Sequence, residues 1–181
     1  KEKSMKLTTK QIAMTAVMLA VCIVSQFFKN TSVFITGPII NAALIIVTVY
    51  CGLACGIILS VITPITSFFI TGSPIMAAVP AMFPCIMAGN IVLVLLVYFL
   101  KDRFGKAGLP VSMVCGSVLK GVFMGLVIAL IVLPTFLPEQ MAPKLPALQM
   151  QFSVVQGVTA LIGSLYAFII IQALNKAKVM D

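Results

Sequence analysis

The chain alternates between long apolar runs and short polar connections. Of its 181 residues, 61% are hydrophobic, and several apolar runs are long enough to form helices that cross a hydrocarbon core of about 30 Å. We predict six such spans within a single membrane domain, residues 1–181. Their predicted limits are residues 11–28, 38–51, 53–70, 79–100, 109–133 and 148–174. The pattern therefore predicts an all-α membrane protein built as a six-transmembrane-helix bundle.

Glycine and proline mark the predicted turns and breaks. Gly52 lies between the second and third spans, where it predicts a tight turn with a positive φ. Pro64 and Pro84 interrupt the third and fourth spans, and each frees a carbonyl that must face protein or a water-filled cavity. The proline-rich connection at residues 134–146 is expected to be extended. It would serve as a lid or rim, or as a plain connector.

Positive charge predicts the orientation of the bundle. Most basic residues precede the first span, lie between the fourth and fifth, or follow the sixth: Lys1, Lys3, Lys6, Lys10, Lys101, Arg103, Lys106, Lys176 and Lys178. With six spans these three regions share one side of the membrane, which the positive-inside rule makes cytoplasmic. We therefore expect both termini in the cytoplasm. Because these charges lie at span ends, we expect no nucleic-acid partner.

The residue types argue against catalysis. The chain contains no histidine, which excludes histidine-based triads and histidine-ligated metals. Ser117 lies one helical turn from Lys120, but the two share one buried helix and make a poor nucleophile and base. We expect no enzymatic activity, no metal and no cofactor. The acidic residues all lie outside the apolar runs; they are Glu2, Asp102, Glu139 and Asp181.

Lys120 is the most informative residue, because it lies near the middle of the fifth span. An ammonium at that depth costs roughly 2.5–3.5 kcal/mol on insertion scales, so it indicates a function. Since no apolar run contains an acidic residue, we expect an external anion, the substrate, to be its partner. Two alternatives stay open. Lys120 and Asn90 could bond each other and only join two helices, or Lys120 could snorkel to the cytoplasmic headgroups.

Other polar side chains lie at the same depth or nearer the predicted outside. They predict a ligand pocket in the outer half of the bundle. The expected substrate-binding residues are Lys120, Asn90, Gln156, Asn41, Gln149 and Phe123. Gln26 and Gln151 are further polar residues toward the same end. The expected apolar walls are Met82, Phe83, Phe123, Met124 and Phe152.

Small residues four apart allow close helix packing in lipid. Ala16 and Ala20 form such a pair on the first span, with Ala13 beside them, and Gly121 and Gly125 form another on the fifth. Internal packing is the ordinary explanation for the glycine pair.

Together these features resemble the S components of energy-coupling factor (ECF) transporters, six-span proteins of about this length. The most specific likeness is the Ala-x-x-x-Ala motif at residues 16–20. Gly37 and Pro38, the glycine-containing turn at residues 52–56 and the basic loop at residues 101–106 are less specific. In that family the alanine face docks the transmembrane coupling subunit, T. The resemblance therefore implies that Ala13, Ala16 and Ala20 form a coupling-subunit interface.

The resemblance also implies a function. The chain would be the substrate-binding subunit of an ABC importer in the plasma membrane of a prokaryote. It would capture a vitamin or related micronutrient and associate with T and two cytoplasmic ATPases. A small anion such as pantothenate would suit Lys120, and the absence of tryptophan disfavours a large flat ring. The alternatives are a stand-alone secondary transporter or channel acting as an oligomer, and a structural membrane protein.

Overall fold

The structure is a computed structural model that describes residues 7–29 and 32–177. Within these ranges it is helical, and six helices are long and apolar enough to cross a membrane, which confirms the predicted bundle. The α-helices are α1 (Thr9–Gln26), α2 (Val33–Cys51), α3 (Leu53–Thr71), α4 (Pro74–Ala78), α5 (Met82–Leu100), α6 (Gly108–Met124), α7 (Leu133–Phe136), α8 (Leu145–Gln151) and α9 (Val154–Lys176). Several charged residues named above lie outside the described residues: Lys1, Glu2, Lys3, Lys6, Lys178 and Asp181.

Local sequence signals fix several helix ends. Thr8 and Gln11 form a capping box that starts α1, in which each side chain accepts the other residue's backbone N–H. Gly52 joins α2 to α3 with a φ of +87°, as the sequence predicts. Gly72 ends α3 with a φ of +57°. Both glycines adopt a backbone conformation that side chains with a Cβ disfavour.

The prediction places the start of the second span too late, at residue 38. Helix α2 starts at Val33, capped by the Ser32 hydroxyl, which accepts a bond from the Phe34 N–H. Pro38 lies inside the helix instead of opening it. Its missing N–H leaves only the carbonyl of Phe34 without a donor, and Phe34 is an exposed residue of the first turn.

The last two spans are also less regular than predicted. A π-helix, Gly125–Val132, continues α6 into α7, and a 3₁₀-helix, Glu139–Lys144, precedes α8. The expectation of an extended connection at residues 134–146 is therefore wrong. Pro146 lies in the first turn of α8, where a missing N–H costs little, and Pro134 lies where the π-helix continues into α7.

Helix α2 is the centre of the bundle and contacts α1, α3, α5 and α9. Residues 41–48 are consecutively buried, as expected for a helix that is apolar on all sides. Helix α9 lies directly on α2, because a Cβ at Gly163 would approach the Pro38 carbonyl oxygen to 2.6 Å. The close crossing places Asn41 of α2 within the bundle interior.

The two ends of the bundle differ. Tyr50 donates to the side chain of Asn175 over 2.7 Å, and Gln11 donates to the Cys51 carbonyl over 2.9 Å. These bonds bring together the start of α1 and the ends of α2 and α9, at what we call the terminal end. The opposite end, where α1 ends and α2 begins, is called the cavity end below.

Two apolar clusters fill the interior and are separated by a polar layer. Leu93 and Met113 belong to the cluster toward the terminal end, and Met82 and Met124 belong to the other. Along α5, Asn90 falls between Met82 and Leu93. Along α6, Lys120 falls between Met113 and Met124. The polar side chains therefore interrupt the core at one level.

Candidate functional site

Lys120 lies in this polar layer and is 2% exposed. Its Nζ donates to Asn41 Oδ1 over 2.6 Å and to Asn90 Oδ1 over 2.7 Å. Helices α6, α2 and α5 each contribute one member of this triad, which we call the lysine–amide triad. The ammonium is thus held by two neutral oxygens rather than by a carboxylate.

Backbone carbonyls orient both amides of the triad. Asn41 Nδ2 donates to the Gly37 carbonyl over 2.9 Å, and Asn90 Nδ2 donates to the Ser60 carbonyl over 3.4 Å. Ser60 lies four residues before Pro64, which has no N–H to offer that carbonyl. With each NH₂ group so engaged, both Oδ1 atoms point at Lys120. Since an ammonium carries three N–H donors, one remains for a further acceptor.

The triad forms part of a cavity of about 120 Å³. One water needs about 10–15 Å³ on this scale, so the cavity has room for roughly ten water-sized groups. The lining residues are Lys29, Val33, Thr36, Gly37, Ile40, Asn41, Thr63, Pro64, Ser67, Ser73, Ile75, Met76, Ile86, Asn90, Lys120, Gln151, Phe152 and Gln156. They come from both spans and connections at the cavity end.

The structure excludes one of the alternatives for Lys120 and is compatible with the other two. Snorkelling is wrong, since the ammonium is bonded to two buried amides. The bond to Asn90 that the second alternative requires is present. Lys120 also lines the cavity, so the helix-joining bonds and a ligand contact are compatible.

Four of the expected substrate-binding residues meet at this cavity and two do not. Lys120, Asn90, Asn41 and Gln156 line it, whereas Gln149 and Phe123 do not. Phe123 packs instead against the apolar cluster that contains Met124. Among the expected wall residues, Phe152 alone lines the cavity. Ile40, Ile75, Met76 and Ile86 supply the apolar surface.

Gln149 has a structural role that the sequence did not indicate. Its Nε2 donates to the Ala129 carbonyl over 2.8 Å. In a π-helix the donor for that carbonyl would be residue 134, which is Pro134 and has no N–H. Gln149 therefore satisfies a carbonyl that the π-helix and the proline together leave free.

Lys29 is a cavity residue that the sequence analysis missed. It follows α1, is half-buried, and donates from Nζ to Ser67 Oγ over 2.6 Å. Burial lowers the pKa of Lys29 below its usual value. Two phenylalanines precede it in a short connection, so it reads as an ordinary span-end charge. Only the fold reveals that its ammonium turns toward α3.

The cavity contains positive charge without compensation. Its lining includes Lys29 and Lys120 but no carboxylate. Within the described ranges, the carboxylates of Asp102 and Glu139 are exposed, and Asp102 pairs with Lys101. Desolvated charge is costly unless it is paired. An anionic ligand in this cavity would supply the missing pair.

A second feature lies on the outside of α1. Ala13, Ala16 and Ala20 are exposed, and so are Val17 and Val24 between and beyond them. We call this surface the alanine face. Small side chains there leave the helix backbone open to close approach by another helix.

In residues 7–29 and 32–177 there is no group of side chains suited to hold a metal ion. Ser117 forms a buried bond of 2.9 Å with Ser164, so it is engaged across α6 and α9 rather than with Lys120. A polar, cation-lined cavity inside a membrane-spanning bundle can bind a small ligand.

The structure is that of a multi-pass membrane protein with a cation-lined cavity between its helices. The chain belongs to the family of ECF transporter substrate-specific components, whose model matches residues 10–176. Proteins of this family bind substrate, and ATP hydrolysis takes place in partner subunits. No curated protein and no solved structure matches the chain.

Proposed function

We propose that this chain captures a small anionic micronutrient in the cavity and delivers it for ATP-driven import. The observation that carries the proposal is the lysine–amide triad, in which Lys120 keeps one donor available at a cavity without carboxylates. A charge-assisted bond in such a site is stronger than a neutral one. Pantothenate is the first compound to test, because its single carboxylate probes the contact with Lys120 alone.

The importer role adds partners and a direction. We propose that the alanine face docks a transmembrane coupling subunit, which joins two cytoplasmic ATPases. The terminal end, which carries Lys101, Arg103, Lys106 and Lys176, would face the cytoplasm of a prokaryotic cell. The cavity end would then face outward. A stand-alone proton-coupled transporter is less suitable, because helices α1 to α9 contain no carboxylate and the chain has no histidine.

The test is a calorimetric titration of pantothenate into purified wild type and Lys120→Met. Removing a buried charge-assisted bond costs about 2–3 kcal/mol, so we expect affinity to fall by about 10²-fold. Lys144→Met is the matched control, because Lys144 is exposed and does not line the cavity. Equal affinity of wild type and Lys120→Met would contradict the role of Lys120. No binding to wild type would exclude pantothenate.

A further inference from the structure

The cavity holds two ammonium groups, and they belong to different parts of it. Lys120 is bonded to helices α2 and α5 through the triad. Lys29 is bonded to Ser67 of α3, close to the end of α1. Both residues line the same cavity. A ligand with a single anionic group at Lys120 would leave Lys29 without an anion.

The contacts of α3 give the approximate distance between the two ammonium groups. The Ser60 carbonyl accepts the bond from Asn90, the immediate neighbour of Lys120, and Ser67 accepts the bond from Lys29. Residues 60 and 67 are seven positions apart, which corresponds to about 10 Å along a helix. The two ammonium groups are therefore separated along the cavity rather than clustered at one point.

The two lysines bring N–H donors to the cavity that have no protein acceptor. The amides of Asn41 and Asn90 are already bonded at both ends. Lys29 donates one of its three N–H groups to Ser67, so two N–H donors remain. The rest of the lining is mixed, with apolar side chains such as Ile40, Met76 and Phe152 beside polar ones such as Thr63 and Gln156. Such a cavity matches a ligand with an anionic acceptor at each end.

We infer that the ligand is a dianion with one anionic group at each end, and that Lys29 is the residue that selects for the second group. Lys120 binds the first anionic group and Lys29 binds the other, with the body of the ligand between them. The inference rests on the proposed function, since it requires that Lys120 bind an anion. It adds a specificity-determining residue and a substrate class.

The test compares acids of matched length that differ only in the second charge. Adipate and hexanoate are titrated into wild type, with glutarate and pimelate to vary the length. We expect wild type to bind a dicarboxylate at least about tenfold more tightly than the matched monocarboxylate, as one additional charge-assisted bond predicts. In Lys29→Met, the affinity for adipate should fall to that for hexanoate, and the affinity for hexanoate should equal that of wild type.

Ser67→Ala separates ligand binding from a structural role of Lys29. If Lys29 only fastened α1 to α3 through Ser67, Ser67→Ala would reproduce Lys29→Met. We expect Ser67→Ala to retain more of the preference for dicarboxylates than Lys29→Met does, because the ammonium stays in the cavity. Lys144→Met is the charge control, and thermal unfolding of each variant checks that it is folded.

The outcomes distinguish the inference from the proposed function. Equal binding of adipate and hexanoate by wild type, or no binding of any dicarboxylate, would overturn the inference. So would a loss of the preference in Ser67→Ala. Lys120→Met that binds both acids as wild type does would instead contradict the proposed function. If the preference for dicarboxylates disappears only in Lys29→Met, the result supports both the inference and the proposed function.

Discussion

Lys120 illustrates how a bundle in lipid can keep an ammonium that lacks an internal anion. Two amide oxygens at 2.6 and 2.7 Å supply part of the lost hydration, and the third donor is left over. Neutral amides stabilise the charge without cancelling it. A carboxylate in place of either amide would neutralise the ammonium and remove the reason for an anion to enter.

Asn90→Asp tests this argument directly. The new carboxylate would lie beside Nζ, where Asn90 Oδ1 now accepts a bond of 2.7 Å. We expect an internal ion pair that lowers the affinity for anions by about 10–10²-fold, since the ligand must compete with a permanent partner. The protein should stay folded. Calorimetric titration with pantothenate or adipate measures the change.

Gln140→Glu is the control, because it adds the same charge at an exposed residue that does not line the cavity. Its affinity should match that of wild type. If Asn90→Asp also bound anions as well as wild type, the uncompensated ammonium would not be the recognition element.

The residues of the site were predictable to different degrees. Depth along a span placed Lys120 level with Asn90, and the structure brings the two into contact. Depth says nothing about which way a helix faces, so Phe123 and Gln149 were wrongly expected at the cavity. Lys29 lies in a connection, where a lysine usually meets water. Its contact with Ser67 depends on tertiary packing alone.

At the scale of elements, α1 differs from the other spans. It lies at the side of the bundle and contacts α2 and α3, while the alanine face points away from the protein. A helix that presents three small side chains outward offers a neighbouring helix a close approach. The proposed coupling subunit would use this surface without touching the cavity.

Ala20→Leu is therefore expected to prevent assembly with the coupling subunit and the ATPases while ligand affinity stays unchanged. A leucine there would hold two helix backbones apart. The measurement is co-purification of the three partner subunits, combined with calorimetry on the isolated chain. Ala173→Leu is the matched control, since Ala173 is an exposed alanine on α9. A loss of ligand binding without a loss of assembly would contradict the assignment.

Hydropathy predicted the elements well and their irregularities poorly. The number of spans and the turn at Gly52 follow from apolar length and glycine conformation. The π-helix does not, because it depends on Gln149 reaching the Ala129 carbonyl from α8. Pro134 disfavours a regular α-helix at that point, but the partner that makes the π-helix tolerable is distant in sequence.

At the scale of the whole molecule, charge is divided between the two ends. The terminal end carries Lys101, Arg103, Lys106 and Lys176 on exposed or half-exposed positions. The cavity end places Lys29 and Lys120 at the cavity. One set suits the positive-inside rule and the other suits anion capture. One bundle thus uses its basic residues in both ways.

The most direct test of the central claim is mass spectrometry of the small molecules retained by the purified protein. Wild type, Lys120→Met and Lys144→Met are produced in a bacterial host grown in rich medium and purified in parallel. The account predicts that wild type and Lys144→Met retain the same anionic small molecule, and that Lys120→Met loses it while remaining folded. A neutral or cationic molecule, or an anion retained equally by Lys120→Met, would contradict the account.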